Sequence, residues 1–153
     1  MRFKKLITRR IILLLIFIIG LFGYITYDEM INESFSRQKL SEVEREFHQI
    51  QPMTDAVPTS DLQSTTRKAK HVTVGNLYRT NLTYSEIRAY YDAELAKHGW
   101  KFQKELKVNG PDGKDYGGKQ VFYYKGEFTA FIYHVGEKPN PEYTYYFRVS
   151  WDS

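Results

Sequence analysis

Between Ile11 and Tyr27 the chain reads IILLLIFIIGLFGYITY, seventeen residues without a charge. As a helix rising ~1.5 Å per residue it reaches about 25 Å, the short end of what spans a bilayer core. Arg2, Lys4, Lys5, Arg9 and Arg10 precede it with no acid among them, and Asp28 and Glu29 follow it. Tyr24 and Tyr27 stand where interfacial aromatics belong. The pattern predicts a transmembrane helix from Ile11 to Tyr27 after a basic cytoplasmic leader of residues 1–10. The lipid bilayer is its first partner, and the remainder lies outside the cytoplasm by the positive-inside rule. A cleavable signal peptide would share the basic start and apolar centre but needs small residues flanking its cut. Cuts after Gly20 or Gly23 place Ile18 or Leu21 at the other recognised position, so an uncleaved anchor is the better reading.

The leader carries +5 of a net charge of +4, so the remaining chain sums to −1. A balanced exterior excludes the broad basic field that nucleic acid requires. The absence of cysteine excludes disulfides, thiolate metal sites, a cysteine nucleophile and a lipidated N-terminal cysteine.

Leu40, Val43, Phe47 and Ile50 recur at spacings of 3, 4 and 3 on a charged background. That stripe predicts an amphipathic helical stalk over residues 28–50. It either docks on its own domain or pairs briefly with a second copy, and under two heptads favours docking. Residues 51–66 combine two prolines with small polar residues and read as a linker.

From residue 67 to residue 153 the chain reads as an α+β domain. HVTVGNLY alternates as a strand, and Thr83 with Glu86 forms the pattern of a helix-opening capping box. Tyr84, Ile87, Tyr91 and Leu95 share one face of that helix, Tyr90 falls on its flank, and Gly99 ends it. Trp100 and Phe102 begin a strand, VNGPDGKDYGG is turn chemistry, and KQVFYYK returns. FTAFIYHV is another strand, and Tyr145, Phe147, Val149 and Trp151 alternate with Tyr146, Arg148 and Ser150 in the last. The order β-α-β-β-β-β predicts one helix packed on a mostly antiparallel sheet. Its third and fourth strands are apolar on both faces, whereas one helix covers one face. Either the stalk stripe, a partner protein, a second copy or a ligand covers the other face, or its Tyr and Phe sit half-exposed there through strand propensity alone. Phe122, Tyr124, Phe131, Tyr133 and Tyr146 are the candidate interaction surface.

Signals for chemistry are weak. GKDYGGKQ has the phosphate-loop spacing, but Gln120 replaces the magnesium-holding hydroxyl and a strand follows in place of a helix. Asn109, Asp112 and Asp115 lack the spacing and closing glutamate of a calcium loop. His48, His71, His98 and His134 fall in separate elements without zinc-ligand spacing. No serine stands in a nucleophile elbow, and no acid pair stands out. No cofactor, metal or catalytic set is predicted.

The helix YYDAELAKHGW leading into alternating strands resembles small extracytoplasmic domains of bacterial membrane-anchored proteins and lipoproteins. The matching residues are Tyr90, Tyr91, Leu95, Gly99 and Trp100, within residues 70–151. The resemblance implies an α+β fold and brings no catalytic residue. The chain departs from the lipoproteins by having an apolar anchor in place of a lipid-bearing cysteine. The expected function is a single-pass, non-enzymatic interaction or accessory module of a bacterial cell envelope. It would contact another envelope protein or a second copy through the stalk or a sheet face. The alternative is a small-ligand or glycan-binding sensor using exposed aromatic residues.

Overall fold

A computed structural model describes residue 21 and residues 33–67, 70–110, 113–137 and 141–153. Apart from Leu21, the uncharged stretch expected to span a membrane lies outside these. Among the described residues no helix is long and apolar enough to cross a membrane. The chain divides into two units, Met1–Phe35 and Ser36–Ser153, and the second carries every strand described.

This second unit is α+β, with one antiparallel sheet and two helices. Helix α1 is described over residues 33–49, of which residues 36–49 belong to this unit. After it come β1 (Val57–Pro58), β2 (Gln63–Arg67), β3 (His71–Arg79), α2 (Tyr84–Lys97), β4 (Lys101–Val108), β5 (Gly118–Lys125), β6 (Phe128–His134) and β7 (Tyr145–Asp152). The strand order is β1-β3-β7-β6-β5-β4, with β2 also pairing with β3. The expected β-α-β-β-β-β order is the run from β3 to β7.

Local signals explain α2. Thr83 accepts the backbone N–H of Glu86 while the Glu86 carboxylate accepts from the Thr83 backbone, the reciprocal cap that satisfies otherwise orphaned donors. Gly99 at φ 82° lets the chain leave the helix, and Trp100 turns into the core beside Ile87, Tyr91 and Leu95. Across the sheet, Val72, Val74 and Tyr78 of β3 meet Tyr145, Phe147, Val149 and Trp151 of β7 on one face.

Three expectations need correction. Residues 51–66 are not a linker: Met53 and Ala56 are buried, and β1 and β2 lie along β3. The compact unit thus begins at Ser36, not at residue 67. Val43, Phe47 and Ile50 are buried in the same cluster as Ile87, Tyr91 and Leu95, so α1 and α2 share one sheet face. The α1 stripe therefore does not cover the second face. Phe147 makes the point physically, since its ring stacks on Phe47 at 5.5 Å and on Tyr91 at 4.8 Å. Finally, a bulge between Phe102 and Lys104 breaks the register of β4, leaving Phe102 half exposed under Arg88 at the sheet edge. Lys101, Lys104 and Lys107 line this edge strand, which discourages strand addition.

Candidate functional site

The strand register gathers all five residues of the candidate surface on the face opposite the helices. Phe131 of β6 pairs with Phe122 of β5 on one side and Arg148 of β7 on the other. Beyond them, Gly75 of β3 pairs with Arg148, and Lys104 of β4 pairs with Phe122. One row thus crosses five strands. Within it the Arg148 guanidinium lies over the Phe131 ring at 4.4 Å, and the Phe131 and Phe122 centroids are 5.0 Å apart. The Lys104 ammonium lies 5.0 Å from the centre of Phe122. A cation at each end of an aromatic pair is held by the ring quadrupoles without losing its charge.

The flanking rows differ in character. One holds Leu77, Tyr146, Tyr133, Gln120 and Leu106, and the other holds Thr65, Thr73, Ser150, Thr129, Tyr124 and Lys101. Phe131 is only 6% exposed, whereas Tyr124 is 42% exposed, so the surface is flush in the middle and open at the β4 side. Gly75 is needed because a Cβ there would meet Arg148 Cβ at 2.6 Å and the Tyr146 hydroxyl at 2.7 Å. Burial raises the Tyr146 phenol above its ordinary range, which keeps it a neutral hydroxyl at physiological pH.

A second arrangement on this face escaped the sequence reading. His71 Nδ1 hydrogen-bonds Asp152 Oδ1, and Thr73 Oγ1 lies 2.6 Å from His71 Nε2. The order hydroxyl, imidazole, carboxylate is that of a hydrolytic triad. Thr73 is buried, however, and its hydroxyl is engaged by the imidazole. The chain fastens β3 to β7 at the sheet end where Ser153 N–H also donates to Lys70 O at 3.1 Å. His71 and Asp152 are 81 residues apart, so only the register reveals the pairing.

A cleft of about 760 Å³ lies at the N-terminal end of α2 between the β4–β5 and β6–β7 connections. Tyr84, Asp115, Tyr116, His134 and Glu137 line it. His134 is buried, which lowers its pKa, and its Nδ1 accepts the Gly136 N–H at 3.2 Å. Among the described residues no group of three or more His, Asp or Glu is placed to hold a metal ion. The phosphate-loop lookalike is the β4–β5 turn: Asp115 Oδ1 accepts the Gly117 N–H at 2.8 Å, and Lys119 and Gln120 are already in β5. Its amides open a strand, not a helix N-terminus.

The YYDAELAKHGW stretch is a structural joint. Tyr91 is fully buried with its hydroxyl 3.2 Å from that of Tyr145, and Tyr90 does more than occupy the flank. Its hydroxyl donates to the carbonyls of Gln51 at 3.0 Å and Pro52 at 3.3 Å, tying α2 to the segment after α1. Comparison with protein families, curated proteins and solved structures returns no match for this chain.

Proposed function

We propose that the chain is a single-pass, membrane-anchored protein of a bacterial cell envelope. Its Ser36–Ser153 unit is a non-enzymatic interaction or accessory module whose outer sheet face contacts another envelope component. The single observation that carries this reading is the Arg148–Phe131–Phe122–Lys104 row. It stands on the face that neither α1 nor α2 covers, and aromatic residues with arginine are what contact surfaces concentrate. A second reading, in which the face binds a glycan or small ligand, is favoured by the hydroxyl-bearing rows on either side. Sugar hydroxyls need such partners, and a purely apolar protein patch would not supply them.

The anchor part of the proposal rests on the uncharged stretch Ile11 to Tyr27 and the five cations before it. A photo-crosslinking residue at position 133, on the outer face, should trap an envelope component in intact membranes. One at position 89, exposed on α2, should not. Equal yields at both positions would reject the outer face as the contact surface. A reporter fused after Ser153 should be active only outside the cytoplasm, and the opposite result would overturn the orientation.

A further inference from the structure

We infer that the outer sheet face is a docking surface for a linear anionic saccharide chain. The inference rests on the proposed contact role of that face and names its ligand. The first observation is an asymmetry of charge across the sheet. On the helix side most strand and α2 cations facing the core are matched: Arg88 pairs with Asp92 and Glu105, Lys125 with Glu46, and Lys119 with Glu105. Lys107 is the strand cation there that lacks a carboxylate among the described residues. On the outer face, Arg148, Lys104 and Lys101 have no carboxylate within ion-pair distance among the described residues. The one acid among the strand residues of that face is Asp152, and it faces His71. Unmatched positive charge on a face held rigid by ring contacts complements an anion.

The second observation is the spacing. Arg148 and Lys104 lie three strands apart, roughly 14 Å at about 4.8 Å per strand. Charges so separated across a flat surface suit successive acidic groups along an extended chain better than one compact anion. The third is chemistry between the charges. Gln120, Thr129 and the tyrosine hydroxyls present hydrogen-bonding groups beside half-buried rings, the combination that meets sugar hydroxyls and ring faces together. An acidic protein segment would look for a pocket to anchor a side chain. At the centre of the row Phe131 is only 6% exposed, so the face offers a flush ring there and not an open apolar socket. An anionic membrane surface would be met by apolar residues protruding across the face, whereas here the exposed ones, Leu106 and Tyr124, stand at the β4 side and Phe131 at the centre is flush.

The test uses the full chain in nanodiscs of uncharged lipid, with an oligogalacturonate as probe and its methyl ester as the neutral control. The acidic oligosaccharide should bind, weaken as salt rises, and exceed the ester by about tenfold or more. Lys104→Gln, on an exposed edge strand, should reduce binding several-fold without changing the unfolding transition. Adding Arg148→Gln should abolish it. Equal binding of acid and ester would overturn the anionic assignment, as would binding of anionic-lipid vesicles in place of the oligosaccharide. If no oligosaccharide binds while the crosslinker at position 133 traps a protein, this inference falls and the contact role stands. If nothing binds and nothing is trapped, both fall.

Discussion

Tyr91 of α2 lies against Phe147 of β7 with ring centroids 4.8 Å apart and planes inclined by 26°, while its hydroxyl meets that of Tyr145. One side chain thus supplies both the apolar contact and the polar match that hold helix to sheet. Tyr91→Ala should cost about 3–5 kcal/mol, as large-to-small changes of buried aromatics do. Tyr91→Phe should cost about 1–3 kcal/mol, because the Tyr145 hydroxyl is left without that partner in a buried site. Urea unfolding measures both, and a Tyr91→Phe loss as large as that of Tyr91→Ala would show that the ring contact contributes little.

Phe47 also stacks on Phe147, so α1 belongs to the same core. Glu46 to Lys125 at 2.6 Å and Lys39 to Glu127 at 2.7 Å add ties along its length. A chain beginning at Ser36 should therefore unfold in one cooperative transition. A chain beginning at Arg67 exposes Phe147 and lacks β1 and most of β2, and should bind hydrophobic dyes and melt without cooperativity. Two similar sharp transitions would make α1 dispensable.

What the sequence revealed depended on how local each signal is. The capping box spans Thr83 to Glu86, the αL stop is one glycine, and the alternation of β7 lies within eight residues. All three were legible because their physics operates over a turn or a strand. The polar strand QSTTR carries no apolar alternation, and its identity comes only from pairing with β3. The five aromatic residues of the outer face were legible from the period of two. Their capping by Arg148 and Lys104 was not, since it depends on register across four strands and a long β4–β5 turn. Tyr90 shows the same limit. Helical geometry put it on the flank, but its carbonyl partners Gln51 and Pro52 come from a segment about forty residues away.

Gly75 offers a test of the outer face that leaves its charges in place. An alanine Cβ would press on Arg148 Cβ, the Tyr146 hydroxyl and the Phe147 carbonyl, all within 2.8 Å. Only the Tyr146 hydroxyl can swing away, whereas the Arg148 Cβ and the Phe147 carbonyl move only with the β7 backbone, so β3 and β7 must part locally. Gly75→Ala should cost about 1–3 kcal/mol by overpacking and displace the guanidinium from Phe131. A crystal structure or the ring-shifted resonances of Arg148 would register the displacement. An unchanged Arg148 with unchanged stability would mean the sheet absorbs the methyl group by other means.

Alkali should unfold the unit through its tyrosines. Burial and a hydrogen bond to Glu105 push the Tyr84 phenol up to about 12, and burial foremost raises Tyr78, Tyr91, Tyr123 and Tyr145 as well. An unfolded tyrosine titrates near ~10. Above that pH the unfolded chain has released phenolic protons that the folded chain retains, so the unfolded state binds fewer protons. The unfolding free energy then falls with rising pH. The stabilisation is complete below about pH 10 and is lost as pH rises through the folded values, for Tyr84 through about 12. Phenolate absorbance from these five of thirteen tyrosines should appear together with the loss of near-ultraviolet circular dichroism. Tyr84→Phe removes one retained proton, so its stability should decline less steeply between pH 9 and pH 11 than that of the parent chain. Smooth, independent titration of all thirteen rings before any loss of ellipticity would show that these hydroxyls are open to solvent.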